Sequence, residues 1–353
     1  MQIHASAKIA IWVVTPNGLK LAEQIVAGLP ATDLFVSAKL AATIPSISFD
    51  RMSVAVAENF GNYAGHLFIT ATGIAVRMIA PHLLDKTKDP AVVVLDEQGQ
   101  HAISLVSGHI GGANALAKTI AGFVGARPVI TTATDVSGVP AIDTLAVEKN
   151  LVIENPAAIK TVNMAFIRGE KIRLYDPANI LTEAIPASFL SRVNLQAGQW
   201  PGTDAGAGVC VTDRVIETPE SVLVLRPRSL AAGIGCNRNT AKDEMAALLK
   251  EALAQQELSL NSIKAIASID IKNDEPGLLA LAAELEIPLV FYPKEELNTA
   301  MGIENPSAMV ETHTGAKSVC EAAAILATGQ GSLIVPKKKS KNATVALARA
   351  ASI

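Results

Sequence analysis

The sequence predicts an α/β protein with an N-terminal doubly wound parallel sheet domain, a small middle module and a C-terminal second α/β domain. Short apolar runs rich in β-branched residues alternate with Ala- and Leu-rich stretches of helical length. This alternation is typical of parallel sheets covered by helices on both faces. The chain has 353 residues, which is enough for two or three domains at roughly 100–200 residues each.

Residues 1–135 are expected to form the first domain. The first apolar run ends at the turn of residues 15–18 and is too short for the core of a signal peptide, so we interpret it as a buried strand. Strands are predicted at residues 9–15, 66–71, 102–106 and 128–133, and helices at residues 19–29, 74–84 and 113–124.

Residues 136–226 show a looser pattern, which predicts a small middle module or connection. The stretch combines a Gly-rich segment, residues 202–208, with the prolines Pro140, Pro156, Pro177, Pro186 and Pro201. Alternation returns in residues 227–353, which are expected to form the second α/β domain. There, strands are predicted at residues 230–234, 263–269, 288–292, 332–336 and 343–348, and helices at residues 242–253, 277–285 and 318–327.

The composition excludes several classes of protein. Half of the chain is apolar, and Lys+Arg (30) nearly balance Asp+Glu (33), which fits neither a disordered chain nor a basic nucleic-acid binder. The three cysteines are far apart and form no CxxC pair, which indicates a reducing compartment, by default the cytoplasm. No apolar run reaches the roughly 18 residues of a membrane span. We therefore expect a cytoplasmic protein with neither nucleic acid nor membrane as partner.

A glycine-rich turn at residues 106–114, between a predicted strand and a predicted helix, is the most informative stretch. N–H groups exposed at a helix N-terminus bind anions. The spacing matches neither GxGxxG nor GxxxxGK[ST] and so supports no dinucleotide or phosphate-loop site. His109 is a candidate proton-transfer group. A tight connection from strand to helix, in which His109 merely faces solvent, explains the glycines of the turn as well. The candidate binding residues here are Ser107, Gly108, Gly111, Gly112 and Ala113.

Two other strand ends in this domain carry threonines. Residues 70–77 include the candidate binding residues Thr72, Gly73 and Arg77, and residues 131–135 end at Asp135. We expect these ends to converge with residues 106–114 on one rim of the sheet, where hydroxyl and backbone donors would meet a ligand. Taken separately, each of these ends is better explained as a helix cap, because Ser, Thr and Asp are preferred at that position.

In the C-terminal domain, residues 233–240 run from a strand into a helix. Arg238 beside a helix N-terminus would suit a carboxylate or phosphate, and Cys236 is interpreted as a small buried hydrophobe rather than a nucleophile. The candidate binding residues are Gly235, Cys236, Asn237, Arg238 and, at a second helix start, Ser318.

Capping boxes are predicted for two helices of this domain, with Thr240 paired to Asp243 and Ser318 paired to Glu321. The lysine-rich residues 337–341 are predicted to link the last two strands. Such a run is usually a solvated hairpin tip, although a tip that lies over a crevice would attract acidic ligands.

Metal and nucleophile motifs give no further site. The histidines show no HxH or HExxH spacing, and the chain has no GxSxG elbow. We therefore expect no metal or cofactor held by the protein itself. The residue patterns alone lead only to two α/β domains with anion-binding turns.

Several motifs together resemble the cobalt-precorrin-5A hydrolase family of the anaerobic cobalamin pathway. The resemblance covers nearly the whole chain in order, and its C-terminal part also resembles a protein of the aerobic pathway. A departure occurs at Asn237 and Asn239, where the family pattern has a second basic residue and a glycine. The segments that carry the resemblance are residues 72–77, 106–114, 129–135, 158–163, 169–173, 233–238, 315–323 and 336–346.

The resemblance implies an enzyme that opens the ring A δ-lactone of cobalt-precorrin-5A with water and releases acetaldehyde, giving cobalt-precorrin-5B. Such a reaction needs a base and N–H donors for an oxyanion. We assign His109 as the candidate base, with Asp135 as the next candidate, and expect the donors to be the N–H groups of Gly111, Gly112 and Ala113. Arg77 and Arg238 are expected to bind carboxylates of the corrinoid substrate. The cobalt is carried by the substrate, so no cofactor is expected.

Two other classes of function stay open. A non-catalytic carrier of corrinoid intermediates, in contact with other enzymes of the pathway, would need anion sites but no base. An ordinary nucleotide- or phosphate-binding α/β enzyme is the second alternative, and the missing phosphate loop disfavours it. Release of acetaldehyde distinguishes the hydrolase from both.

Overall fold

A seven-stranded sheet forms the centre of the N-terminal unit, which ends at Thr144. The computed structural model describes residues 8–29, 31–85, 88–185, 193–195 and 206–351. The strands are β1 (Ile9–Val13), β2 (Thr32–Ser37), β3 (Ile47–Phe49), β4 (Gly65–Ile69), β5 (Ala91–Leu95), β6 (His101–Val106) and β7 (Arg127–Val129). Their order in the sheet is β3-β2-β1-β4-β5-β6-β7.

Helices pack on both faces of this sheet. They are α1 (Pro16–Gly28), α2 (Met52–Asn59), α3 (Thr72–Ile79), α4 (Ala113–Val124), α5 (Ala133–Val136) and α6 (Ile142–Glu148). Alternate residues of β1 point to opposite faces: Ile11 joins the core under α1 and α4, whereas Trp12 joins the core under α2 and α3. This confirms the doubly wound α/β fold, although β2, β3, β5, α2, α5 and α6 have no counterpart among the predicted elements.

The direction of β6 overturns one prediction. β5 and β6 form an antiparallel pair in which Val92 lies opposite Val106, whereas β4 pairs with β5 and β6 pairs with β7 in parallel. The carboxyl ends of β6 and β7 therefore lie at one edge of the sheet, and that of β4 lies at the opposite edge. The expected convergence of residues 70–77 with residues 106–114 is wrong, because the short β5–β6 hairpin reverses the chain direction.

A five-stranded sheet occupies the middle part of the chain. Its elements are β8 (Leu151–Ile153), α7 (Ala158–Arg168), β9 (Ile172–Tyr175), β10 (Val193–Leu195), β11 (Gly208–Val211) and β12 (Val222–Pro227), and the strand order is β10-β9-β11-β12-β8. β8 is antiparallel to β12, and the other pairs are parallel. The sequence predicts only a small module here, and Pro186, Pro201 and residues 202–205 lie outside the described residues.

The C-terminal part of the chain forms a third sheet, which together with the middle sheet belongs to the unit that begins at Leu145. Its strands are β13 (Leu230–Cys236), β14 (Ile263–Ile269), β15 (Leu289–Tyr292), β16 (Ser332–Lys339) and β17 (Ala343–Arg349), in the order β15-β14-β13-β17-β16. Its helices are α8 (Lys242–Ala254), α9 (Pro276–Glu284), α10 (Lys294–Leu297), α11 (Ala308–Thr314) and α12 (Cys320–Ala327).

Gly233 lets α12 approach the backbone of the central strand β13. A Cβ at this position would lie 1.8 Å from the carbonyl oxygen of Cys320, a distance that no side chain can occupy. The first glycine of the Gly-Ile-Gly sequence is therefore required by packing.

Both predicted capping boxes are wrong, because the N-cap of each helix lies one residue later than the predicted box requires. The N-cap residues are Ala241 and Val319, which have no capping side chain. Thr240 instead donates its hydroxyl to the carbonyl of Asn237 at 2.8 Å. Glu321 is fully buried and accepts hydrogen bonds from backbone N–H groups of other segments.

The predicted link between the last two strands is also shorter than expected. β16 extends to Lys339, so Lys337, Lys338 and Lys339 belong to the strand, and residues 340–342 form the turn into β17. Within the described part of the chain, none of the helices combines the length and apolar character needed to cross a bilayer.

Candidate functional site

The glycine-rich turn between β6 and α4 is held by its own backbone. Gly112 has a φ of +88°, in the left-handed region that favours glycine. A Cβ at Gly111 would lie 2.4 Å from the Cβ of Ser107. Both glycines are therefore required by the conformation of the turn, independently of any ligand.

The N–H groups of this turn are less available than expected. Gly112 donates to the carbonyl of His109 at 2.9 Å, and Ala113 donates to the carbonyl of Ser107 at 3.0 Å. Of the three N–H groups predicted to be free donors, only that of Gly111 has no hydrogen-bond partner among the described residues. The prediction of free donors is wrong for Gly112 and Ala113, because the tight turn uses them to close its own hydrogen bonds.

His109 lies between two aspartates. Its Nδ1 is 3.3 Å from Oδ2 of Asp143, and its Nε2 is 3.3 Å from Oδ2 of Asp135. The hydroxyl of Thr134 lies 3.0 Å from the same Nε2. The hydrogen bond to Asp143 raises the pKa of His109 above its ordinary value; burial opposes this, and the charges of both aspartates add to it.

Asp135 is the centre of a hydrogen-bond network at the carboxyl ends of β6 and β7. Its Oδ2 accepts from the hydroxyl of Thr132 at 2.7 Å and from the amide of Asn114 at 3.0 Å, and Lys118 lies 3.4 Å from Oδ1. Partial burial opposes ionisation, but the hydrogen bonds from Thr132 and His109 and the charge of Lys118 outweigh it, so the pKa of Asp135 is lowered. Asp135 is therefore ionised at neutral pH.

Asp143 is a site residue that the sequence does not reveal. It is buried and lies in the first turn of α6, in a stretch where the alternation of elements fails. The local feature of the sequence that could have pointed to Asp143 is an acidic residue near the start of a helix, and helix capping alone explains such a residue.

The candidates Thr72, Gly73 and Arg77 lie apart from this cluster, on α3 at the opposite edge of the sheet. Arg77 is exposed and donates to the carbonyl of Gly73 at 3.0 Å. The structure therefore brings together His109 and Asp135 but not the third predicted strand end.

A pocket of about 680 Å³ in the C-terminal part of the chain brings together Gly235, Cys236, Asn237, Arg238 and Ser318. Parts of β13, β14, β16 and β17 and the segment before α12 form its walls. The basic side chains that line it are Arg238, Lys272, Lys337, Lys339 and Lys341.

In this pocket, the guanidinium of Arg238 is already bound by other groups of the protein, and the thiol of Cys236 is not activated as a nucleophile. The guanidinium of Arg238 is bound by the carboxylate of Asp274 and donates to the carbonyl of Ile271 at 2.8 Å. Burial raises the pKa of the Cys236 thiol, and it raises that of Cys320 to about 11. The thiols are thus protonated at neutral pH, and neither is an activated nucleophile.

No group of three or more His, Cys, Asp or Glu side chains within the described ranges has an arrangement that could hold a metal ion.

Three known families match consecutive segments of the chain. The family described as Cobalamin synthesis G N-terminal matches residues 54–135, Cobalamin biosynthesis central region matches residues 140–227, and Cobalamin synthesis G C-terminus matches residues 230–348.

Curated relatives match over most of the chain. The cobalt-precorrin-5A hydrolase of Salmonella typhimurium is 39% identical over 349 residues, which are 96% of this chain and 97% of that protein. The cobalt-precorrin-5A hydrolase of Priestia megaterium is 36% identical over 299 residues, covering 82% of this chain and 79% of that protein. Protein CobE of a Sinorhizobium species is 37% identical over 126 residues, covering 35% of this chain and 82% of that protein.

Proposed function

The chain belongs to the cobalt-precorrin-5A hydrolase family, and we propose that it catalyses the hydrolysis of cobalt-precorrin-5A with His109 as general base. The observation that supports the activity most strongly is the 39% identity that spans 97% of the Salmonella enzyme. The reaction opens the ring A δ-lactone with water and releases acetaldehyde. The cobalt ion enters within the substrate, so the protein's own residues need only bind the macrocycle and move protons.

The contacts of His109 favour the role of base. In the neutral tautomer that carries its proton on Nδ1, Nδ1–H donates to Asp143, and Nε2 is left to accept a proton. Asp143 and Asp135 then stabilise the imidazolium that forms, as the aspartate does in a Ser-His-Asp triad. The raised pKa of His109 means that the base is strong but is available only at higher pH.

The first chemical step is lactone opening. Nε2 of His109 takes a proton from water as the water oxygen attacks the lactone carbonyl carbon, and the carbonyl electrons move onto its oxygen. Collapse of this tetrahedral oxyanion breaks the ring C–O bond, and the imidazolium returns the proton to the departing alkoxide. The free N–H of Gly111 is the turn's donor for the oxyanion.

The second step releases the two-carbon unit. Removal of the proton from the new hydroxyl group lets its oxygen electrons form the C=O bond of acetaldehyde. The C–C bond to the macrocycle breaks, and the macrocycle carbon takes up the electron pair and then a proton. His109, neutral again after the first step, is the base for this step as well.

The activity is tested by incubating the full chain with cobalt-precorrin-5A and measuring the product mass together with acetaldehyde. We expect one equivalent of acetaldehyde for each corrinoid converted. Binding of the corrinoid with no acetaldehyde would instead support the non-catalytic carrier. No binding and no acetaldehyde would contradict both functions.

A further inference from the structure

We propose that the C-terminal pocket binds the carboxylate side chains of a corrinoid through Lys337, Lys339 and Lys341. The inference shares its substrate class with the proposed function, but the charges, contacts and position of the pocket residues support it independently of the chemistry at His109.

The charge of the pocket differs from that of the whole chain. The chain carries a formal net charge of −3, whereas the charged side chains that line the pocket are all basic in the described residues. Basic groups gathered around a concave surface attract anions and raise their local concentration. A volume of about 680 Å³ lies within the range of small-molecule sites.

The basic groups differ in how far they are neutralised by the protein. Arg238 is bound by Asp274, and Nζ of Lys272 lies 3.6 Å from the buried carboxylate of Glu275. Lys337 donates to the carbonyl of Asn305 at 3.0 Å, which leaves its charge unpaired. Among the described residues, Lys339 and Lys341 form no ion pair. The charge of Lys341 also interacts with the carboxylate of Glu244. The lysines of β16 and of its turn are therefore less fully neutralised than Arg238.

The backbone holds these lysines in place. Successive side chains of a strand point to opposite faces, and accordingly Lys337 and Lys339 line the pocket while Lys338 does not. The turn after β16 is fixed by Glu244, whose carboxylate accepts from the backbone N–H of Asn342 at 2.7 Å and from its side-chain amide at 3.1 Å. The positive edge of the pocket is thus built on ordered backbone.

Ser318 supplies an independent observation. It is 2% exposed, lines the pocket, and its Oγ has no hydrogen-bond partner among the described residues. A buried hydroxyl without a partner costs free energy, which a ligand oxygen offsets by accepting its hydrogen bond. A carboxylate meets both needs, since it pairs with ammonium groups and accepts from a hydroxyl.

The test compares two corrinoids by isothermal titration calorimetry on the full chain at low salt. Dicyanocobyrinic acid carries free carboxylates, whereas the corresponding side chains of dicyanocobinamide are amides. We expect the acid to bind at least about tenfold more tightly than the amide. Its affinity should fall as salt is raised, because salt screens exposed charges. Equal affinities, or tighter binding of tripolyphosphate than of the acid, would overturn the proposal.

A pair of variants assigns the site. The double variant Lys339→Gln/Lys341→Gln should weaken binding of dicyanocobyrinic acid about tenfold, while Lys338→Gln, on the opposite face of β16, should change it less than about twofold. Equal effects of the two variants would contradict the proposed site. Because binding is measured without turnover, binding without acetaldehyde release would refute only the hydrolase, and release without carboxylate-dependent binding would refute only this pocket.

Discussion

Oδ2 of Asp143 lies 3.3 Å from Nδ1 of His109, on the opposite side of the imidazole ring from Asp135. This contact links the start of α6 to the glycine-rich turn before α4. It raises the pKa of His109 and orients the ring so that Nε2 faces Asp135 and Thr134. The cluster therefore contains an oriented histidine of the kind that general-base catalysis requires.

Replacing Asp143 by Asn should lower the pKa of His109 toward its ordinary value of about 6.5. In the parent protein the base has a raised pKa, so the rate of acetaldehyde release should increase with pH, with the midpoint of the increase above about pH 6.5. In Asp143→Asn this ascending limb should move to lower pH, and the plateau rate should fall by about tenfold or more, because the imidazolium loses one of its two carboxylate partners. A pH–rate profile of acetaldehyde release measures both effects.

The control for this variant is Asp96→Asn, since Asp96 lies 3.6 Å from the exposed His101 and outside the cluster. It should leave the pH profile unchanged. A profile in which the rate instead falls with pH through the same pKa would show that His109 acts as an acid.

Replacing a glycine by alanine should change the free energy of unfolding in opposite directions at Gly112, in the turn before α4, and at Gly122, inside α4. Gly112→Ala forces a side chain into a φ of +88° and should lower the free energy of unfolding by about 1–2 kcal/mol. Gly122, inside the same helix, has open space around its missing Cβ, so Gly122→Ala should raise that free energy by about 0.5–1 kcal/mol. Urea unfolding monitored by circular dichroism gives both values, and the same sign for both variants would be contrary to the structure.

Glu321 should contribute strongly to the stability of the C-terminal part of the chain. Although burial opposes ionisation, hydrogen bonds from Asn305, Lys337 and Glu304 lower its pKa. Glu321→Ala leaves buried N–H donors without an acceptor and should cost about 3 kcal/mol or more. The exposed Glu251→Ala on α8 is the control and should cost less than about 0.5 kcal/mol beyond helix propensity effects.

The lowered pKa of Glu321 also makes this contribution depend on pH. Because the folded-state pKa lies below the unfolded-state value, the contribution is complete above that value, near 4.5, and is lost as the pH falls through the folded-state pKa. Denaturant unfolding of the parent and of Glu321→Gln should therefore differ at neutral pH and converge in acid. A constant difference would refute the assignment.

His66 should make the N-terminal unit sensitive to acid. It is fully buried beside Trp12, which donates to its Nδ1 at 3.1 Å, and burial lowers its pKa to about 4. The folded state therefore favours the neutral form of His66. This contribution to the stability of the folded state is complete above about pH 6.5, and it declines by up to about 3 kcal/mol as the pH falls toward 4. Tryptophan fluorescence during urea unfolding at pH 7 and pH 5 tests this, and a stability that does not fall between them would contradict it.

The sequence predicts the elements near the candidate cluster well, because their signals are local. The predicted limits of α4 match the structure, and β6 lies at its predicted place. The strand predicted at residues 128–133 ends already at Val129, and α5 begins at Ala133. Since β6 and β7 are parallel, Ser107–Asn114 and Thr131–Asp135 meet at one sheet edge as expected.

What the sequence could not show depends on contacts between distant residues. The reversal at β5–β6 places Arg77 at the other edge, and no local pattern reveals the direction of a strand. Glu321 has the spacing of a capping residue but is used by segments 16 residues away along the chain. Asp143 reaches His109 only through the packing of α6, so tertiary structure alone identifies it.

The rate of acetaldehyde release by His109→Gln from cobalt-precorrin-5A, compared with the parent chain, tests the central claim most directly. Glutamine keeps hydrogen-bonding capacity but takes up no proton, so turnover should fall by about a hundredfold or more, with substrate affinity within a few-fold of the parent. His101→Gln, an exposed histidine on β6, should keep the parent rate. Release by a folded His109→Gln at close to the parent rate would contradict the assignment of His109 as the base.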